Sequence, residues 1–293
     1  MRDNSVMRWC LIVMLAASVA HGRSLVDVEY AQVQGQALRM DGFVPEGAGP
    51  YPAAIIVHGG AWVTGDKARS VRPLFKPLTD SNVAWFSINY RLARGANPES
   101  LVSLDGLAAL TSASDDVRSA VDYVRAHATE WNVDPNRVVL IGESAGAHLA
   151  SMAALRPGPA KPVQGVVAFY SPSDLVNLVE TSPRIPDMLR NLLKNSPFAT
   201  MLMAGLKQLS PQTWITKDAP PFLMIHGTAD SLVPVQQSET MCGALRGSGA
   251  TCELFEVPGA GHGINFWEGQ ASLMAYKAKM MDWLKSLLTS RLQ

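Results

Sequence analysis

Four short stretches concentrate the residues able to do chemistry: G-E-S-A-G at 142–146, H-G-G-A-W at 58–62, H-G-T-A-D at 226–230 and G-A-G-H-G at 259–263. A serine between glycines, with an aspartate and a histidine on separate turns, makes up the set that turns a weakly acidic hydroxyl into a nucleophile. The histidine takes the proton, and the carboxylate fixes the imidazole tautomer and stabilises the imidazolium. Ser144 is the candidate nucleophile, His262 the base and Asp230 the orienting acid. Attack on a carbonyl creates an oxyanion, and the backbone N–H groups of Gly60, Ala61 and Ala145 are the candidates to receive it, each such donor being worth about 3 kcal/mol. Asp174 is the rival for the acid. His58, His148 and His226 read as structural: His58 holds its own loop, His148 lies one helical turn beyond the serine, and His226 ends a buried strand.

Each stretch follows an apolar run of strand length: V-V-L-I before Ser144, A-A-I-I-V before His58, P-F-L-M-I before His226 and E-L-F-E-V before the His262 turn. The candidates therefore fall at the carboxyl ends of neighbouring strands, on one edge of a sheet. Strands are predicted at 26–32, 36–44, 53–58, 83–90, 138–142, 165–170, 221–226 and 251–257, alternating with amphipathic segments, as in a mainly parallel eight-stranded sheet flanked by helices. Helices are predicted over 115–128, where Val117, Ala120, Val121 and Val124 recur at helical spacing behind Asp115 and Asp116, and over 145–155 and 272–288. The stretch 175–219 interrupts this rhythm with Pro183, Pro186, Pro197 and Pro211 among Met188, Leu189, Leu192, Leu193, Phe198, Met201 and Leu206. It reads as a small helical cap inserted after the sixth strand, either lining an acyl pocket or packed on the core. The chain order Ser144, Asp230, His262 is that of α/β hydrolases rather than of the chymotrypsin or subtilisin types.

Composition narrows the alternatives. Hydrophobic residues make up 47% and charged residues 17%, which suits a globular enzyme. Lysine plus arginine and aspartate plus glutamate number 25 each, so the basic footprint expected of a nucleic-acid binder is missing. The six histidines show no His-Glu-x-x-His spacing and the cysteines no Cys-x-x-Cys, leaving a zinc site without support. Residues 1–20 carry Arg2 and Arg8 ahead of an apolar run with small Ser18 and Ala20, the layout of a secretory signal peptide too short for a comfortable membrane span. The expectation is an exported chain, periplasmic or extracellular, with a catalytic domain over 21–293 and no stable membrane anchor once the signal is removed. Cys242 and Cys252 would then be its only cysteines, and a disulfide or two unpaired buried thiols both fit their spacing.

With H-G-G-A-W, N-Y-R-L-A at 89–93, D-P-N-R-V at 134–138, G-E-S-A-G, H-G-T-A-D and G-H-G in this order, the sequence resembles the esterase and lipase branch of the α/β-hydrolase superfamily. The resemblance is to relatives of hormone-sensitive lipase and of bacterial feruloyl and acetyl-xylan esterases, and it covers nearly all of the chain after residue 20. Many hormone-sensitive-lipase relatives have a third glycine where this chain has Ala61, aspartate where it has Glu143, and proline-glutamate where it has Arg94 and Gly95. The resemblance implies a cofactor-free serine carboxylesterase that hydrolyses small, short-chain carboxylic esters through an acyl-enzyme. Two other readings share the motifs: a serine aminopeptidase of the prolyl-oligopeptidase type, and a catalytically silent hydrolase fold used for binding.

Overall fold

The structure, a computed structural model, describes residues 21–93, 103–158, 163–181 and 199–289, together with Asp187 and Asn191. The predicted leader over 1–20, Arg94 and Gly95, and the cap residues Pro183, Pro186, Met188, Leu189, Leu192, Leu193, Pro197 and Phe198 lie outside the described residues.

Eight strands form one sheet: β1 (Gly22–Val33), β2 (Gln36–Pro45), β3 (Tyr51–Val57), β4 (Ala84–Ile88), β5 (Val133–Glu143), β6 (Gly165–Phe169), β7 (Phe222–Gly227) and β8 (Cys252–Val257). Their spatial order is β1-β2-β4-β3-β5-β6-β7-β8. The first two junctions, β1 with β2 and β2 with β4, are antiparallel, and every later pairing is parallel. Ala53–Val57 of β3, Gly165–Phe169 of β6 and Phe222–Gly227 of β7 are buried throughout. Parallel strands covered on both faces have no solvent side, so they read as unbroken apolar runs rather than as alternation. β1, at the edge, is exposed or half-buried at every residue but Tyr30, and its pairing with β2 slips twice, between Leu25 and Val28 and between Glu29 and Ala31.

Helices cover both faces. On one side α2 (Leu104–Ala126), α3 (Ala145–Leu155) and α6 (Gln236–Gly247) bury Val117, Val121, Val124, Leu149, Met241 and Leu245. On the other, α1 (Phe75–Asp80) and α7 (Ala275–Thr289) bury Leu78, Tyr276, Met280 and Leu284. After β6 come α4 (Leu175–Thr181) and α5 (Ala199–Gln208), the described helices of the cap. Their Leu175, Val179, Leu202 and Leu206, with Leu209, pack on Leu107, Leu110 and Met152, and half-buried Trp62 and Val63 join this third cluster. The described part of the cap is thus anchored on α2 and α3, beside the loop that follows β3.

α2 begins eleven residues before the predicted 115, capped by Ser103, whose Oγ accepts the Gly106 N–H at 3.1 Å. Gly106, Ser112 and Ser114 dilute the helical signal of its first half, where Leu107, Leu110 and Ala113 already face the core. Asp115 and Asp116 consequently sit mid-helix rather than at the positive end. Asp116 is buried and receives a two-pronged grip from Arg91, with Arg91 Nη2 at 2.7 Å from Oδ1 and Nε at 2.9 Å from Oδ2.

Candidate active site

β3, β5, β7 and β8 all end at the same edge of the sheet, and the loop leaving each carries one of the sequence motifs. Ser144 follows β5 directly and caps α3 with φ +53° and ψ −122°, strained values for a residue with a side chain. Its N–H is fixed on Phe169 O at 2.9 Å. Such a turn demands close approach: a Cβ on Gly146 would lie 2.2 Å from Val57 O and 2.4 Å from His58 O. The glycine therefore lets α3 start against the end of β3, which holds the serine and the H-G-G-A-W loop together.

Asp230 sits in the turn after β7 with its side chain fully buried. Oδ1 accepts the N–H groups of Leu232 and Val233 at 2.8 and 2.9 Å. Oδ2 accepts from His262 Nδ1 at 2.7 Å, and His262 Nε2 in turn faces Ser144 Oγ at 2.9 Å. The structure thus brings the three predicted residues into one hydrogen-bonded line. Burial alone would push the Asp230 carboxyl up, but hydrogen bonds from His226 and His262, the His262 charge and the Val233 N–H outweigh it and hold it well below the usual carboxylate range. Asp174, the rival acid, is engaged elsewhere: its Oδ1 accepts the Asn177 N–H at 3.0 Å at the start of α4.

The H-G-G-A-W loop turns sharply. Gly60 has φ +117°, where a Cβ would meet Thr64 O at 2.1 Å, and Gly60 O accepts the N–H groups of Val63 and Thr64. Ala61 follows in the left-handed region at φ +50°. No described residue accepts from the amides of Gly60, Ala61 or Ala145, whereas the neighbouring Gly59 N–H is taken by Glu143 Oε1 at 2.8 Å. The unpaired amides at the start of α3 and in the loop beside it are suited to a developing negative charge.

N-Y-R-L-A proves to be the brace of this loop. Asn89 Oδ1 accepts the Lys67 N–H at 2.8 Å, Tyr90 Oη donates to His58 O at 3.2 Å, and Arg91 grips Asp116. His58 stacks on Tyr90 with ring centroids 4.4 Å apart and contacts Gly59 O through Nδ1 at 2.7 Å, a structural role as expected. His148 is buried between α3 and the cap, with Nδ1 accepting from Trp62 Nε1 at 3.2 Å and Nε2 donating to Leu209 O at 2.7 Å. His226 is also buried. Its Nε2 donates to Val233 O at 2.9 Å and lies 3.5 Å from Asp230 Oδ2, so it supports the acid more directly than its place in a strand suggested.

Two residues at the site escaped sequence reasoning. Tyr170, the residue after β6, packs its ring 4.5 Å from that of His262 and accepts the Ile264 N–H on Oη at 2.9 Å. Glu143 was noticed only as a departure from aspartate, though it is buried beside the nucleophile. Tyr170's position at a strand end on the catalytic edge was the available signal. Among the described residues no group of three or more His, Cys, Asp or Glu side chains is placed to hold a metal ion, and no helix is long and apolar enough to cross a membrane. Cys242 of α6 and Cys252 of β8 are joined as a disulfide, with Cα atoms 5.4 Å apart.

The BD-FAE family model matches residues 40–245, a span holding Ser144 and Asp230. The chain is 34% identical over 210 residues to the probable carboxylic ester hydrolase LipM of Mycobacterium tuberculosis, covering 68% of this chain and 46% of that protein. It is 31% identical over 240 residues to the esterase LipQ of the same organism, covering 78% and 53%. The chain spans about half the length of these relatives. Among solved structures, the butyrate-bound esterase Est2 of Thermogutta terrifontis superposes with a TM-score of 0.66 at 25% identity, over 92% of this chain and 93% of that one.

Proposed function

Because the chain belongs to the BD-FAE family, we propose that it is a serine carboxylesterase that hydrolyses short-chain carboxylic esters through an acyl-enzyme. The observation that carries this is the unbroken line from Asp230 Oδ2 through His262 to Ser144 Oγ, at 2.7 and 2.9 Å. His262 Nε2 takes the Ser144 proton as Oγ attacks the ester carbonyl. The oxyanion is met by the amides of Gly60, Ala61 and Ala145, and Asp230 stabilises the imidazolium that forms. The imidazolium returns its proton to the leaving alcohol. Water, deprotonated by the same nitrogen, then attacks the acyl-enzyme, and collapse of the second tetrahedral adduct frees the acid and restores Ser144.

Relatives described as esterases support the reaction class, and butyrate in the Thermogutta structure supports a short acyl group. The reading extends to an exported enzyme, supported by the leader-like residues 1–20 and by the Cys242–Cys252 disulfide, a bond characteristic of oxidising compartments. The test is hydrolysis of p-nitrophenyl esters from acetate to palmitate, beside aminoacyl p-nitroanilides, with fluorophosphonate labelling of the wild type and Ser144→Ala. Turnover highest on acetate to hexanoate, with labelling lost in Ser144→Ala, is expected. Anilide cleavage in place of ester cleavage, or an unlabelled wild type, overturns the reading.

A further inference from the structure

Glu143 precedes the proposed nucleophile, yet the mechanism gives it nothing to do. It is a buried carboxylate, and no lysine, arginine or histidine forms an ion pair with it among the described residues. Burying a carboxylate is costly unless hydrogen bonds repay it, so its partners indicate what it is for. One is Gly59 N–H, donating to Oε1 at 2.8 Å from the loop after β3. A Cβ at Gly59 would lie 2.5 Å from that oxygen, so the carboxylate is seated directly on the backbone. Beside it lies Tyr170, on the loop after β6, whose hydroxyl is close enough to feel the Glu143 charge. Tyr170 Oη also accepts the Ile264 N–H at 2.9 Å, two residues beyond His262, and its ring lies against the His262 imidazole.

From this arrangement we infer that Glu143 is a positioning residue, which sets the Gly60–Ala61 amides and the His262 loop at fixed places around Ser144. The inference rests on the reading of the site as a serine esterase. Three loops meet here that share no backbone hydrogen-bonding ladder with one another, since each leaves its strand at the sheet edge. The carboxylate sits among them: its own backbone holds the elbow, Gly59 precedes the oxyanion amides by one residue, and Tyr170, within reach of its charge, is hydrogen-bonded to the segment that carries the base. A carboxylate suits the post because its partner, the Gly59 N–H, is a donor and it supplies acceptors alone. Burial first and the Glu143 charge second push the Tyr170 hydroxyl well above the ordinary tyrosine range, so it stays neutral beside the carboxylate. Transition-state stabilisation by fixed amides depends on their placement to within about half an ångström, so loosening the tether falls on kcat rather than on substrate binding.

The test compares Glu143→Ala, Glu143→Gln and Tyr170→Phe with the wild type on p-nitrophenyl acetate, with thermal unfolding recorded for each. Glu143→Ala is expected to lower kcat by roughly 100-fold, the scale of one lost oxyanion donor, with KM within about threefold of wild type. Glu143→Gln keeps an acceptor for Gly59 and is expected to recover to within roughly tenfold of wild type. Tyr170→Phe, which leaves the Glu143–Gly59 bond in place, is expected to lower kcat by roughly tenfold and to add less than that in the Glu143→Ala background. Wild-type kcat in a folded Glu143→Ala or in Tyr170→Phe overturns the inference, as does a loss confined to KM or a full sum of the two single losses in the double variant. Should Glu143→Ala not fold, Glu143→Gln and Tyr170→Phe decide it alone. Absence of ester turnover in the wild type itself would instead be failure of the esterase reading, and is seen before any variant is compared.

Discussion

His148 offers a prediction whose size follows from its surroundings. Trp62 Nε1 can only donate and Leu209 O can only accept, so the imidazole between them must be neutral, with its proton on Nε2. Protonating Nδ1 would set an N–H against the indole N–H at the hinge between the cap and the H-G-G-A-W loop. Burial accordingly pushes the ring down to about 4 from its ordinary 6.5, against the opposing help of Leu209 O. A depressed histidine destabilises the fold in acid: the unfolded chain takes the proton as pH falls through 6.5, the folded chain only near 4, and stability drains across that window. Linkage puts the loss between pH 7 and pH 5 at about 2 kcal/mol for a ring held at about 4. Buried His58 is also lowered by desolvation and adds to the total, whereas Asp230, held low, loses its contribution only below about pH 4, under the usual carboxylate value. The perturbation is therefore His148→Gln, whose amide can serve Trp62 and Leu209 with no proton to gain. Urea unfolding of both proteins at pH 7 and pH 5 isolates the residue, because His58 is common to them. Wild type should lose about 2 kcal/mol more than the variant, a shift of roughly 0.7 M in midpoint at an m-value near 3 kcal/mol/M. Equal losses in the two would refute the argument.

Asp230→Asn should lower kcat by roughly 10⁴-fold while leaving fluorophosphonate-competent geometry, because an amide cannot orient the tautomer with Nδ1–H; near-normal turnover on p-nitrophenyl acetate would dismiss Asp230 as the acid. Gly146→Ala puts a methyl against Val57 O and His58 O, a backbone clash expected to cost about 1 to 3 kcal/mol and to depress turnover, read by thermal unfolding and by kinetics. Reducing the Cys242–Cys252 bond opens a loop between cysteines ten residues apart and should cost about 2 to 3 kcal/mol in urea unfolding, with kcat unchanged at 25 °C. Two reactive thiols in the denatured, unreduced protein would show that the bond does not form.

The strands were legible because β3, β4, β6, β7 and the second half of β5 are buried, the pattern that apolar runs announce, and the line of Ser144, His262 and Asp230 was legible because each member stands within a few residues of the end of such a run. Ends were less so. β5 begins at Val133, five residues before the predicted 138, since Asp134, Pro135 and Asn136 look like a turn although Val133 pairs with Tyr51. The start of α2 was hidden by a glycine and serines whose helical state is enforced by packing of Leu107 and Leu110 rather than by propensity. Glu143 and Tyr170 could be seen but not understood, because what they do depends on Gly59, 84 residues from Glu143, and on Ile264, 94 residues from Tyr170. Spacing along the chain carries chemistry that repeats locally; contacts assembled by the sheet have no local trace.

The two slips in the pairing of β1 bear on how molecules of this protein meet one another. β1 is the outermost strand, and one of its sides has no partner among the described residues. A straight twelve-residue border would invite a second molecule to extend the sheet across the gap, the route by which exposed strands seed fibrous association. Here the border is bent near Asp27, which has φ +51°, and again between Glu29 and Ala31, while Arg23, Asp27 and Glu29 put charge along it. An incoming strand could match only a few residues before its spacing failed, and it would have to strip water from those charges. The same irregularity that blurs the strand's pairing therefore works against edge-to-edge association at this flank.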